Sequence, residues 1–330
     1  MVDITAEAIL DSVSSNGGDN ARLLTVRCRY PKFIHGEHLR HRTFSFSVSS
    51  SRAIPVAKNL AEVRSDELRA GPVWWGREQK GMSSGDELDR EKIWPAPYSP
   101  KEQAEWEWKM AALDATTRAW NLQQLGAHKS IVNRILEPFL HVNVLVTGTT
   151  PGWMNFFGLR LDKAAQPEIR ALAEACWRVW NDSAPRTLKT GEWHLPYADD
   201  NDSICESNVF WEQWDRRKAS GYEGSYVDIR KRLSVARCAH LSYESFETGA
   251  RMTVEQCLQV YDKLVGSVPI HASPAEHQAT PDRMDDPVIV HYSNEPWAHP
   301  ELGGNLGPGW IQLRKTLPGE AIAPLPEVYR

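Results

Sequence analysis

The stretch that most constrains the fold runs from Arg22 to Tyr30, where Leu24, Val26, Cys28 and Tyr30 alternate with Thr25, Arg27 and Arg29. A strict period of two fits a strand with one apolar face and fits no helix. Residues 4–13 have strand character too, and Ser15-Asn16-Gly17-Gly18-Asp19-Asn20 between the two runs is a chain reversal, so together they predict a hairpin. Pro31 ends the ladder because it has no N–H to donate. His35-Gly36-Glu37-His38-Leu39 then leads into Arg40-His41-Arg42, which this reading puts at a strand end, a common mount for functional loops.

Arg40, His41 and Arg42 give two fixed cations and one titratable ring within three residues, and six of the next nine residues are Ser or Thr. Guanidinium forks match phosphate or carboxylate oxygens in pairs, and small hydroxyls complete an anion's coordination without bulk. On residue types alone, a solvated basic turn fits equally well. A net charge of −5 and a pI near 6.1 argue against a duplex-DNA binder, so nucleic-acid chemistry is expected at the level of the nucleotide. No apolar run approaches the roughly 18 residues of a membrane span, and Met1-Val2-Asp3-Ile4 lacks the layout of a signal peptide; we expect no membrane contact and a cytoplasmic location. The five cysteines are scattered and form no CxxC, so buried thiols are expected rather than disulfides or zinc.

Further along, residues 55–99 break every periodicity and predict a loop-rich insertion able to cover a site, with Trp74, Trp75 and Trp94 in it. Ser99-Pro100 opens a helix whose inner stripe is Ala104, Trp108, Ala111, Ala115, Ala119 and Leu122, stopped at Gly126. A second helix from about Ala127 is expected to carry Ile131, Ile135 and Phe139 on one side, followed by a strand over 142–147. A third spans about 166–180 with Ile169, Leu172, Ala173, Cys176 and Trp180 inward, and residues 252–264 predict another. His128, His141 and His194 have no visible partner and read as structural. His35, His38 and His41 with Glu37 converge poorly on one metal if helical, so no metal is expected.

Arg40-His41-Arg42, seven residues, then Ser50 resembles the RHRx7S signature of the flavin-dependent thymidylate synthases. Asn133-Arg134-Ile135-Leu136-Glu137-Pro138 resembles that family's ARxxLP segment, and Asn155-Phe156-Phe157-Gly158-Leu159-Arg160 with Ala165-Gln166-Pro167-Glu168-Ile169 resembles its NFxxLR and AQxEI segment. Ala236-Arg237-Cys238-Ala239-His240-Leu241-Ser242-Tyr243 is similar to the AARxSY block and Ala272-Ser273-Pro274-Ala275-Glu276-His277 to SPFEH, but both normally precede RHR. The order resembles a circularly permuted, phage-type member: one catalytic domain over 1–330, with the RHR, NRxLEP and NFxxLR blocks in 1–185 and the other two in 186–330.

The resemblance implies an α/β (α+β) fold with a mainly antiparallel sheet packed by long helices, assembled as a homotetramer with shared active sites. It implies FAD, with methylenetetrahydrofolate and NADPH as co-substrates, acting on a pyrimidine deoxynucleoside monophosphate: dUMP to dTMP, without a cysteine nucleophile. Carried over by position, Arg40, His41 and Arg42 lie against the flavin and its phosphates, Asn155 against the flavin, and Ser242 and His277 on the flavin or folate side. Ser50 and Arg52 bind the nucleotide phosphate, joined by Arg134 from a neighbouring subunit. Arg160 contacts the pyrimidine and stabilises its developing charge, with His41 as a possible assistant, so these two are the catalytic candidates.

Some positions depart from the family. Glu37 stands in the nucleotide site where glutamine is common, Ser47-Val48 where Asn-Glu is common, and Ala53 and Ala164 replace a tyrosine and a histidine. Hydroxymethylation of dUMP or dCMP for modified phage DNA therefore stays open, as does a noncatalytic nucleotide-binding module.

Overall fold

The computed structural model describes residues 3–81, 83–91, 97–198, 215, 225–241, 252–267, 270–285 and 296–321. The expected hairpin is present as β1 (Thr5–Ser14) and β2 (Arg22–Pro31), antiparallel, with Gly17 and Gly18 at φ +72° and +88° in the reversal, where a side chain is disfavoured. β4 (His141–Thr149) pairs with β2 along its whole length, and β3 (Ser45–Val48) pairs with β4. A short β5 (Arg186–Leu188) runs parallel to the end of β1, giving the order β3-β4-β2-β1-β5. The sheet is therefore antiparallel except at one end, and β3 is an edge.

The alternation in β2 decides the layers. Leu24, Val26, Cys28 and Tyr30, with Val142, Val144 and Val146 of β4, face α5 (Thr150–Arg160) and α6 (Pro167–Asp182) in the main core. Trp153, Phe156 and Phe157 of α5 and Ile169, Leu172, Ala173 and Cys176 of α6 fill that layer. The opposite face buries polar Ser12, Thr25 and Thr147 alongside apolar Leu23 and Leu145. The C-terminal half covers it with α7 (Tyr226–Ala239), α8 (Val254–Val265), and a small hairpin of β6 (Ala279–Pro281) and β7 (Trp310–Gln312).

Four expectations need correction. The serine-rich run after Arg42 is not simply a loop, because Phe46 and Val48 alternate with Ser45 and Ser47 and form β3. The loop-rich 55–99 segment begins with a helix, α2 (Val56–Arg64), since Val56, Leu60 and Val63 return to one face at helical spacing. The long α3 (Pro100–Gln124) starts on a capping box at Ser99 and Glu102, but Ala112, Ala115, Thr116 and Ala119 are buried while Ala111 is exposed. Beyond the one-turn α4 (Lys129–Val132) the chain tightens into a 3-10 stretch, Asn133–Phe139. Its period of three buries Asn133, Leu136 and Phe139, beside Val132 of α4, and leaves Ile131 55% and Ile135 36% exposed.

Candidate functional site

After Pro31 the chain makes a 3-10 turn (Lys32–Ile34), one helical turn α1 (His35–His38), and a bend through Arg42 into β3. Ile34, His38, His41 and Phe44 point inward while Leu39, Arg40 and Arg42 stay exposed. Phe44 seats the bend on α5 and β4: a Cβ on Gly148 would fall 2.4 Å from its ring, and one on Gly152 3.3 Å from it. Only glycine permits this approach at Gly148.

His41 packs edge-on against Phe156 with ring centroids 4.9 Å apart, and its Nε2 accepts a hydrogen bond from Arg160 Nε at 3.0 Å. Burial, and then the Arg160 charge, lower its pKa from the ordinary value to about 4, so the ring is neutral at pH 7. Neutral Nε2 must hold the lone pair, which fixes the guanidinium plane. The two terminal nitrogens of Arg160 make no hydrogen bond among the described residues, so its fork remains free.

Arg160 opens on a cavity of about 1150 Å³ that Glu37 and Arg40 also line, with Phe33, Trp74 and Trp108 as aromatic walls. Trp74 supplies one of those walls, and its stretch of chain is tied to its surroundings by bonds that include Trp108 Nε1 to Ala70 O at 2.9 Å, Val73 N to Glu168 Oε1 at 2.9 Å and Ala70 N to Phe139 O at 3.0 Å, while Trp74 Nε1 donates to Gly85 O at 3.1 Å within it. Glu37 Oε2 is buried with no partner, an acceptor left over beside this space.

A second cavity of about 270 Å³ is lined by Lys32, His35, Ser50, Arg52, Arg134 and Glu137, with Ser49 and Ser51. Arg134 lines it from the 3-10 stretch Asn133–Phe139. Asn133 Nδ2 holds the loop by donating to Ser51 O at 2.7 Å and Ile54 O at 2.9 Å. Glu137 was not foreseen. It accepts from Lys32 Nζ and from Ser51 Oγ, each at 2.5 Å. Burial raises its pKa, but these two hydrogen bonds outweigh that and hold the carboxyl below its ordinary range. Glu137 thus neutralises Lys32, and neither Arg52 nor Arg134 forms an ion pair among the described residues. Two guanidinium groups outside any ion pair among the described residues, beside hydroxyls, suit a dianion.

Other candidates lie elsewhere. Arg42 and Asn155 are exposed and line neither cavity. Ser242 falls outside the described residues. His277 is fully buried on the other face of the sheet, its Nδ1 2.8 Å from Thr147 Oγ1 and its Nε2 2.9 Å from Ser47 Oγ. It closes a chain of buried polar groups: Ser12 to His194 Nδ1 at 2.8 Å, His194 Nε2 to Thr25 at 2.8 Å, and Thr25 to Thr147 at 2.6 Å. Burial lowers both imidazoles to about 3, with Arg186 adding to the effect at His194. His194 is thus structural, as are His128, which caps α4, and His141, which faces Glu62 at 3.3 Å.

Cys28 and Cys176 sit with their sulfurs 3.7 Å apart, and that mutual contact and burial push the Cys28 thiol up; burial does the same to Cys238. Neither Cys28 nor Cys238 offers a ready thiolate. Among the described residues there is no group of three or more His, Cys, Asp or Glu placed to hold a metal ion, and no helix long and apolar enough to cross a membrane.

The family pattern for thymidylate synthase complementing protein matches residues 22–186, half of the chain and the part that carries both cavities. No curated protein matches the chain. Among solved structures, the UMP/dUMP methylase PolB from Streptomyces cacaoi is similar in its complexes with 5-Br UMP and 5-Br dUMP. Identity is 19% in both; 55% of this chain and 89% and 90% of those chains are covered, with TM-scores of 0.38 and 0.39.

Proposed function

The chain belongs to the thymidylate synthase complementing protein family, and from that premise we propose that it transfers one carbon to C5 of a pyrimidine deoxynucleotide, converting dUMP to dTMP with methylenetetrahydrofolate and reduced FAD. The observation that carries this reading is the division of labour along one bend. His35 serves a small cavity with Arg52 and Arg134, while Glu37 and Arg40 serve a large one that Arg160 enters from α5. A phosphate and a planar ring system need two such compartments joined by one rigid element.

The residues present fit a flavin. The large cavity exceeds the roughly 300–1,000 Å³ usual for small ligands. It also offers aromatic walls, an arginine pair, and the orphaned Glu37 oxygen to accept from a heterocyclic N–H. Bound there, FAD would supply hydride that NADPH replenishes. Arg40 would meet its negative charge, while Arg160, oriented by His41, directs its free fork at the oxygen edge of the pyrimidine and stabilises charge as C5 becomes nucleophilic. Ser50, Arg52 and Arg134 hold the nucleotide phosphate. His41 is neutral and already accepts from Arg160, so its part is to orient rather than to take a proton.

The permuted single-domain order draws support from contacts between the halves: Ser45 Oγ donates to Glu276 O at 3.0 Å and His277 meets Ser47, so the SPAEH block lies on the strand that follows RHR. The homotetramer remains part of the proposal on family grounds. Hydroxymethylation is the second reading, favoured by Ser47, whose hydroxyl is spent on His277 rather than on a ligand. A titration of the purified chain with FAD, followed by dUMP or dCMP, separates enzyme from binding module: a yellow protein whose flavin spectrum shifts on nucleotide addition is expected. A protein that binds nucleotide yet takes up no FAD overturns the flavin reading.

A further inference from the structure

We propose that His35 is a proton-accepting ligand of the small cavity, becoming charged as a phosphate monoester dianion seats there and donating its Nε2–H to it. This rests on the reading of that cavity as the phosphate seat of a nucleotide.

The argument begins at Tyr30, whose buried hydroxyl lies 2.9 Å from the Nδ1 atoms of both His35 and His38. One hydroxyl gives one proton, so it donates to one ring and accepts from the other. His38 settles which. Its Nε2 is buried with no hydrogen-bond partner and sits among Phe44, Phe46 and Phe156, with centroids 5.1 Å away at Phe46 and 5.4 Å at Phe156. An N–H is tolerated against aromatic rings, whereas a bare lone pair there finds no donor. His38 therefore carries its proton on Nε2, its Nδ1 accepts from Tyr30, and the Tyr30 oxygen accepts from Nδ1–H of His35. Neutral His35 is left with a lone pair on Nε2, which makes no hydrogen bond among the described residues, on a ring that lines the small cavity.

That tautomer makes the ring ready to charge. A proton added at Nε2 leaves the bond to Tyr30 intact and turns the ring into a double donor, so nothing has to rearrange. Several charged or titratable groups face His35: Lys32 from the 3-10 turn, Arg52 from the loop after β3, Arg134 and Glu137 from the 3-10 stretch, and Tyr30 from β2. Glu37 and His38 share its own helical turn. Burial first, then Lys32, keeps the pKa of His35 below its ordinary value, so it is neutral at pH 7.5 before ligand arrives. A dianion reverses that balance by adding negative charge beside the ring. The ligand brings no proton of its own at pH 7.5, because the second phosphate pKa is about 6. Any proton taken up on binding must come to the protein.

Calorimetry of the full chain with dUMP, and separately with methyl phosphate, a monoester with the same second pKa near 6, at pH 7.5 in two buffers of different ionisation enthalpy measures that uptake. Roughly half a proton per phosphate is expected for the wild-type chain, and close to none for His35→Gln, which keeps a neutral donor of similar reach. The affinity of His35→Gln should fall about tenfold below wild type at pH 7 and converge with it at pH 9. Wild-type affinity should rise as pH falls from 9 to 7 and weaken again below 6 as the phosphate protonates. No uptake by the wild-type chain, or the same uptake by His35→Gln, overturns the assignment without reference to any variant's folding or to turnover. Uptake with methyl phosphate but no added affinity for dUMP would leave His35 in place and remove the nucleotide reading instead.

Discussion

Two single residues set the geometry of the large cavity. Arg160 spends its Nε on His41 and keeps its terminal nitrogens for ligand, a split that a lysine cannot make. Arg160→Lys should retain the charge yet lower kcat by about a hundredfold, with nucleotide binding changed far less; steady-state kinetics that leave kcat untouched would contradict the role. Gly148 does comparable work from a distance, since the Cβ of Gly148→Ala would meet Phe44 at 2.4 Å and push it toward His41, which it neighbours at 6.1 Å between centroids. A stability loss of about 1–3 kcal/mol in urea unfolding is expected, with reduced turnover in the folded fraction. Arg40 and His41 stand out in sequence because cation spacing is local information, whereas Arg160 stands out only through the resemblance of the block around it to the family's NFxxLR segment. Tyr30, Glu137 and the glycines do not: Tyr30 reads as one more inward strand residue, and Glu137 matters only because folding brings Lys32 and Ser51 against it.

At the scale of elements, β3 is the piece on which the site depends. It is an edge strand of four residues, paired on one side to β4 and held otherwise by side chains from the C-terminal half. Ser45 meets Glu276 O and Asn305, and Ser47 meets His277, which in turn binds Thr147. Thr147→Val should cost about 2–3 kcal/mol, because it strands His277 Nδ1 in a buried layer and takes from Thr25 Oγ1 one of its two partners, leaving it only His194. Ser99→Ala, which removes an end cap of α3, should cost only about 1 kcal/mol. Urea unfolding of the two variants checks the ranking, and equal costs would mean that the buried chain is not cooperative. The hairpin, β4, α3 and α6 are readable from their periodicity because each buries one face against a large neighbour. β3 and the 3-10 stretch are not, since four residues establish no period and a tightened turn rotates the inward face away from the one that α-helical spacing gives.

Across the whole molecule, three buried histidines are kept neutral: His41 beside Phe156 on one face of the sheet, and His194 and His277 in the polar layer on the other. His41, His194 and His277 have pKa values lowered to about 4, 3 and 3, so the unfolded chain binds a proton on each near pH 6.5 and the folded chain does not. The unfolded state therefore gains protons first as pH falls, and stability must drop from about pH 7 downward, by about 2 kcal/mol per histidine between pH 7.5 and 5. Thermal unfolding over that range should show a steep loss; a flat profile would mean the three rings are not buried neutral. The polar layer also joins the SPAEH block to β3, the strand behind the proposed site, with Ser45 donating to Glu276 O and His277 meeting Ser47. The most direct test of that site is the mass of the nucleotide recovered after FAD-loaded protein is incubated with dUMP, methylenetetrahydrofolate and NADPH. Flavin-dependent one-carbon transfer predicts dTMP, formed only when FAD is present; dUMP recovered unchanged from protein that holds both FAD and nucleotide would contradict it.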